Sequence, residues 1–113
     1  MYKPTLLIDL DGVLNEYGNE KYDQNHIPDI KKDAKEFLEK LYSLDKYSLV
    51  LFTTRNLLLA SKWLIKNELD GYFDNITNVK IPAILFIDDR ALCFKGDFTK
   101  TLEEIINFKP YYK

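Results

Sequence analysis

The chain has a single cysteine, a single histidine and no long apolar run. Cys93 has no partner, which excludes an internal disulfide and any multi-cysteine metal site and fits a reducing cytoplasm. Set between Leu92 and Phe94, it reads as a packed hydrophobe rather than a nucleophile. No apolar stretch approaches the length of a membrane span, and the first residues carry no signal-peptide pattern. A cytoplasmic protein with no membrane partner is therefore expected. Charge of one sign is also lacking: 16 basic and 18 acidic side chains leave a net charge of −2. That balance excludes the strongly basic footprint of a general nucleic-acid binder, though a local basic patch stays open. Repeats, low-complexity tracts and linkers are absent. With 113 residues, 46% of them hydrophobic, residues 1–113 are expected to form one globular domain around one core.

Against this ordinary background, Asp9-Leu10-Asp11-Gly12-Val13 carries the most chemistry. It follows Leu6-Leu7-Ile8, an apolar run of the kind that forms a buried parallel strand. Alternate strand residues point the same way, so Asp9 and Asp11 can converge on one small volume, and Gly12 lets the backbone turn just beyond them. Two such anions need a proton or a metal ion between them. A divalent cation would neutralise the pair and attract a phosphate. The bland alternative is a solvated Asp-rich turn, and the remainder of the chain decides between the two.

Strand-like runs alternate with amphipathic stretches, the pattern of an α/β domain with a parallel sheet. Strands are expected over residues 4–9, 47–52 and 83–87, with a further short one within 72–77. Residues 15–27 read as a loop or short hairpin, with Gly18 and Asn19 as turn residues. A first helix is expected from Pro28-Asp29, burying Ile30, Ala34, Phe37, Leu38, Leu41 and Leu44. Asn56 should cap a second helix that buries Leu59, Ala60, Trp63 and Leu64 and stops near Asp70-Gly71. Residues 91–98 suggest a loop or a short edge strand. Thr101-Leu102-Glu103-Glu104 has the capping-box pattern and should open a last helix through Phe108, ended by Pro110.

Three of these strands end in polar residues: Asp9 and Asp11, Thr53 and Thr54, Asp88 and Asp89. Ligands of open α/β sheets bind at the carboxyl ends of strands, so the three clusters should share one crevice. Carboxylates there would bind Mg²⁺, the threonine hydroxyls would hold phosphate oxygens, and Lys80, just upstream of the last strand, could add a cation.

These four elements, in this order, resemble the haloacid dehalogenase (HAD) superfamily of aspartate-dependent phosphatases and phosphotransferases. Its first motif is matched by residues 9–14, its second by Thr53 after Leu49-Val50-Leu51-Phe52, and its third by Lys80 near Pro82. Its fourth is matched by Asp88-Asp89 after Ile84-Leu85-Phe86-Ile87. One departure is Ile81, which separates Lys80 from Pro82. The resemblance implies a three-layer α/β/α, Rossmann-like core with a central parallel sheet. It implies Asp9 as nucleophile, forming an aspartyl-phosphate, and Asp11 as general acid and then general base. It also implies Mg²⁺ held by Asp9, the backbone carbonyl of Asp11, and Asp88 or Asp89, with Thr53, Thr54 and Lys80 on the phosphate. Neither stretch where HAD enzymes commonly insert a cap has room for a domain, so a capless, open site is expected. Capless members act on large substrates or complete the site by oligomerising, which leaves small-molecule and macromolecular phosphoesters, and a homo-oligomer, all open. The 15–27 loop, with Tyr17, Tyr22 and His26, is the best candidate for substrate contact.

Bland readings stand beside these. Arg55 suits a substrate phosphate or a structural ion pair. Arg90 is expected to pair with a nearby carboxylate, His26 to be solvated, and Trp63 to be core. Pro110-Tyr111-Tyr112-Lys113 either packs on a neighbouring subunit or frays. The leading expectation is a Mg²⁺-dependent phosphomonoesterase; the alternatives are a non-catalytic metal- or phosphate-binding module of the same fold, or a phosphotransferase.

Overall fold

Two short continuous apolar runs, Leu6-Leu7-Ile8 and Leu49-Val50-Leu51, build the centre of the molecule. A computed structural model describes residues 2–18 and 21–113, so Asn19 of the anticipated turn lies outside the described residues. Strand β1 (Thr5–Asp9) lies between β2 (Ser48–Phe52) and β4 (Leu85–Ile87), and β3 (Asn75–Thr77) pairs with the outer edge of β2. All pairings are parallel, in the order β3-β2-β1-β4. Ile8 lies beside Leu51 on one side and Ile87 on the other, and Asp9 beside Phe52. The strand ends that carry the polar residues are therefore level with one another.

The fold is thus α/β, with a four-stranded parallel sheet and three helices. Helices α1 (Ala34–Ser43) and α2 (Leu57–Lys66) pack on one face of the sheet. There Leu6, Ile8, Leu10, Leu49 and Leu51 meet Ala34 and Leu38 of α1 and Ala60, Trp63 and Leu64 of α2. Trp63 also donates from its indole nitrogen to the Pro28 carbonyl at 3.1 Å, which ties the long loop to α2. Asn56 caps α2 by accepting from the backbone of Leu58 and Leu59. Among the described residues no helix is long and apolar enough to cross a membrane.

Several boundaries differ from expectation, each for a local reason. Helix α1 begins at Ala34 rather than at Pro28-Asp29, because Asn15 and Ile30 form an antiparallel bridge that keeps this stretch extended. Asp33, at φ 70°, then turns the chain into the helix. The later start leaves Phe37 and Leu44 exposed, and the inward stripe is Ala34, Leu38 and Leu41. Helix α2 ends at Lys66, with Glu68 rather than Gly71 taking the left-handed position, and Asp70–Tyr72 forms a 3₁₀ turn. Helix α3 (Phe98–Asn107) is capped by Asp97, not Thr101; the Asp97 carboxylate accepts from the Lys100 N–H at 3.1 Å. Helix α3 buries none of its residues, and Phe98, Leu102, Ile105 and Ile106 are exposed. Cys93 is likewise exposed and not packed, since the 91–97 stretch pairs with no strand.

Candidate functional site

At the carboxyl edge of the sheet, one oxygen from each of Asp9, Asp88 and Asp89 lies within 4.8 Å of the others. Strand β1 delivers Asp9 on the face opposite the hydrophobic core, since Ile8 and Leu10 point into that core and alternate residues point apart. Strand β4 delivers the acidic pair. Asp88 closes a tight turn by accepting from the Arg90 N–H at 3.0 Å. Gly12 makes room for Asp89: at φ +83°, a Cβ built on it would stand 2.2 Å from Asp89 Oδ2. Only glycine takes both that dihedral and that approach without strain.

Three carboxylates this close do not all stay charged. Burial, then the Asp88 charge, then contact with Asp89 push the Asp9 carboxyl up to about 8. Among the described residues no fixed N–H or O–H donor reaches the buried Asp89 Oδ1, whereas its Oδ2 accepts from the Tyr112 hydroxyl at 2.6 Å. A hard dication answers both conditions, because it would neutralise the cluster and occupy the free oxygen. Asp9, Asp88 and Asp89 can therefore hold a metal ion, by donor type and by the unpartnered atom.

The ligand expected from Asp11 is its backbone carbonyl, and its side chain is engaged elsewhere. Its side chain is not among the three converging carboxylates. Arg55 Nε donates to its Oδ2 at 2.8 Å and to its Oδ1 at 3.1 Å, and Asn15 Nδ2 donates to Oδ1 at 3.0 Å. Arg55 is correspondingly not a free substrate contact. Its side chain is 1% exposed, Nη1 donates to the Asp23 carbonyl at 2.8 Å, and the guanidinium lies over the Tyr22 ring. The ion-pair alternative is the arrangement found.

The phosphate-binding candidates divide. Thr53 is buried at the end of β2, its hydroxyl accepting from the Arg55 N–H at 3.1 Å, and Thr54 is exposed beside it. Lys80 forms no ion pair with Asp9, Asp88 or Asp89 among the described residues; its Nζ lies 4.5 Å from the centroid of the Phe86 ring. Phe86 is level with Leu7 on β1, so Lys80 stands over the same sheet face to which Asp9 projects. Among the described residues Arg90 makes no ion pair and rests over the Tyr17 ring, while His26 is exposed.

Two contributors escaped the sequence reading. Asn15 is fully buried and braces the motif from both sides, accepting from the Gly12 and Tyr17 N–H groups while donating to Asp11. Its one visible signal is an amide four residues beyond an aspartate whose charge needs a donor. The other is the segment Pro110–Lys113, which folds onto the site instead of fraying. Tyr111 donates to the Gly12 carbonyl at 2.6 Å, Tyr112 donates to Asp89, and the Tyr112 ring fills the space above Gly18. Tyr17, Tyr22, Arg90, Pro110, Tyr112 and Lys113 line a groove of about 320 Å³ beside the carboxylates. A separate hollow of about 400 Å³ lies at the amino edge of the sheet, against Lys3, Asp45 and Asp74, away from this chemistry.

Comparison of the chain with known protein families, curated proteins and solved structures finds no match.

Proposed function

We propose that the chain is a Mg²⁺-dependent phosphatase of the HAD type, hydrolysing a phosphomonoester through an aspartyl-phosphate at Asp9. The observation that carries this reading is the convergence of Asp9, Asp88 and Asp89 at the carboxyl edge of a parallel sheet, with one buried carboxylate oxygen unpartnered. Asp9, Asp88 and Asp89 would hold the ion. When bound, it offsets their charge and withdraws electrons from the phosphoryl oxygens.

Asp9, relieved of its proton, attacks phosphorus with a carboxylate oxygen. The bond from phosphorus to the leaving oxygen breaks, and that oxygen takes from Asp11 the proton that Asp9 gave up to it. A water then attacks the phosphorus of the aspartyl-phosphate, Asp11 accepts the proton, and inorganic phosphate leaves with Asp9 restored. Proton delivery requires Asp11 to part from Arg55 and Asn15, because both its oxygens accept from them. The Thr53 hydroxyl accepts one bond and keeps its hydrogen for a phosphate oxygen. Lys80 reaches the phosphate by leaving the Phe86 ring. The groove walled by Tyr17, Tyr22 and Tyr112 receives the leaving group, and Arg90 and Lys113 give it a preference for anions.

Release of inorganic phosphate from a panel of phosphomonoesters tests this. Turnover with Mg²⁺ that stops in EDTA supports the hydrolase, and a new phosphate ester formed on adding alcohols would reassign it as a phosphotransferase. A second reading, a non-catalytic metal-binding module, draws on the engagement of Asp11 with Arg55. Mg²⁺ binding without turnover of any ester would favour it.

A further inference from the structure

Asp89 has two oxygens with opposite fates. Oδ2 accepts from the Tyr112 hydroxyl at 2.6 Å, and Oδ1 is buried with no partner beside Asp9 and Asp88. A carboxylate free to rotate would exchange these roles; one held by a strong donor does not. The holding group is itself held. Gly18, at φ +104°, has no side chain, and a Cβ there would lie 2.2 Å from the Tyr112 ring. Tyr17 packs edge-on against the same ring, 5.8 Å between centroids, and Tyr111 bonds the Gly12 carbonyl next to the carboxylates. We infer that Tyr112 is a positioning residue for metal binding: it fixes Asp89 Oδ2 so that Oδ1 presents to the ion. This inference rests on the metal site of the proposed function and extends it to a residue far along the chain.

Mg²⁺ titration of the full chain by calorimetry, beside thermal melts without metal, tests it. Tyr112→Phe keeps the ring in its seat and deletes only the hydroxyl. Gly18→Ala keeps the hydroxyl and displaces the ring. Both should raise the Mg²⁺ Kd by about 10–100-fold, as loss of an outer hydrogen bond to a metal ligand does. The metal-free Tm of Tyr112→Phe should fall, because a hydrogen bond to a carboxylate is lost, so Mg²⁺ affinity is the readout that reports positioning. Unchanged Mg²⁺ affinity in Tyr112→Phe, whatever its Tm, overturns the positioning role while leaving the metal site standing. Absence of Mg²⁺ binding by the wild type at millimolar concentration overturns both together.

Discussion

Arg55 Nε lies 2.8 Å from Asp11 Oδ2, and this buried contact joins two strand ends 44 residues apart. The same guanidinium bonds the Asp23 carbonyl and covers Tyr22, so one side chain ties the first motif to the following loop. Removing one member of a buried pair strands the other charge. Arg55→Ala should therefore cost about 3–5 kcal/mol of stability in urea denaturation. A loss below about 1 kcal/mol would show that the pair is solvated and not structural.

How much of this was legible varies with the range of the interaction. Strands β1 and β2 and the capped helix α2 follow from local patterning, which a parallel sheet and an N-cap express within a few residues. The meeting of Asp9 with Asp88 and Asp89 follows from strand-end logic, once each apolar run is taken as parallel. What escaped depends on distant partners. The start of α1 is set by Asn15 bridging to Ile30, and the fates of Asp11 and Arg55 are set by each other. Nothing near Tyr112 in the chain reveals that Gly18 leaves space for its ring. Lys80 is placed by its position before the last strand and by the third motif, Cys93 by its apolar neighbours, and both lie on exposed loop whose course no short pattern specifies.

The raised Asp9 carboxyl has a consequence for stability. In the folded chain without metal it keeps its proton to about pH 8, whereas unfolded it releases it near 3.8. The folded state binds more protons across that window, so this contribution is full below about pH 4 and is lost as pH rises through 8. Melts in EDTA should show it as a fall in Tm between pH 5 and pH 8.5 that Asp9→Asn flattens. Equal slopes in the two proteins would contradict the assignment.

Gly12 leaves as little room at the site as Gly18 does. In Gly12→Ala the new methyl meets Asp89 Oδ2 and the backbone is held at an unfavourable dihedral. The strain should cost about 1–3 kcal/mol. Mg²⁺ affinity should fall as well, because Asp89 must move; calorimetry checks the second and chemical denaturation the first.

In the proposed function, Asp9 performs nucleophilic chemistry on phosphorus. Phosphate release from the best ester of a varied panel, with Mg²⁺, should be abolished in Asp9→Asn while far-UV circular dichroism stays as in the wild type. Turnover in Asp9→Asn equal to that of the wild type would contradict the account.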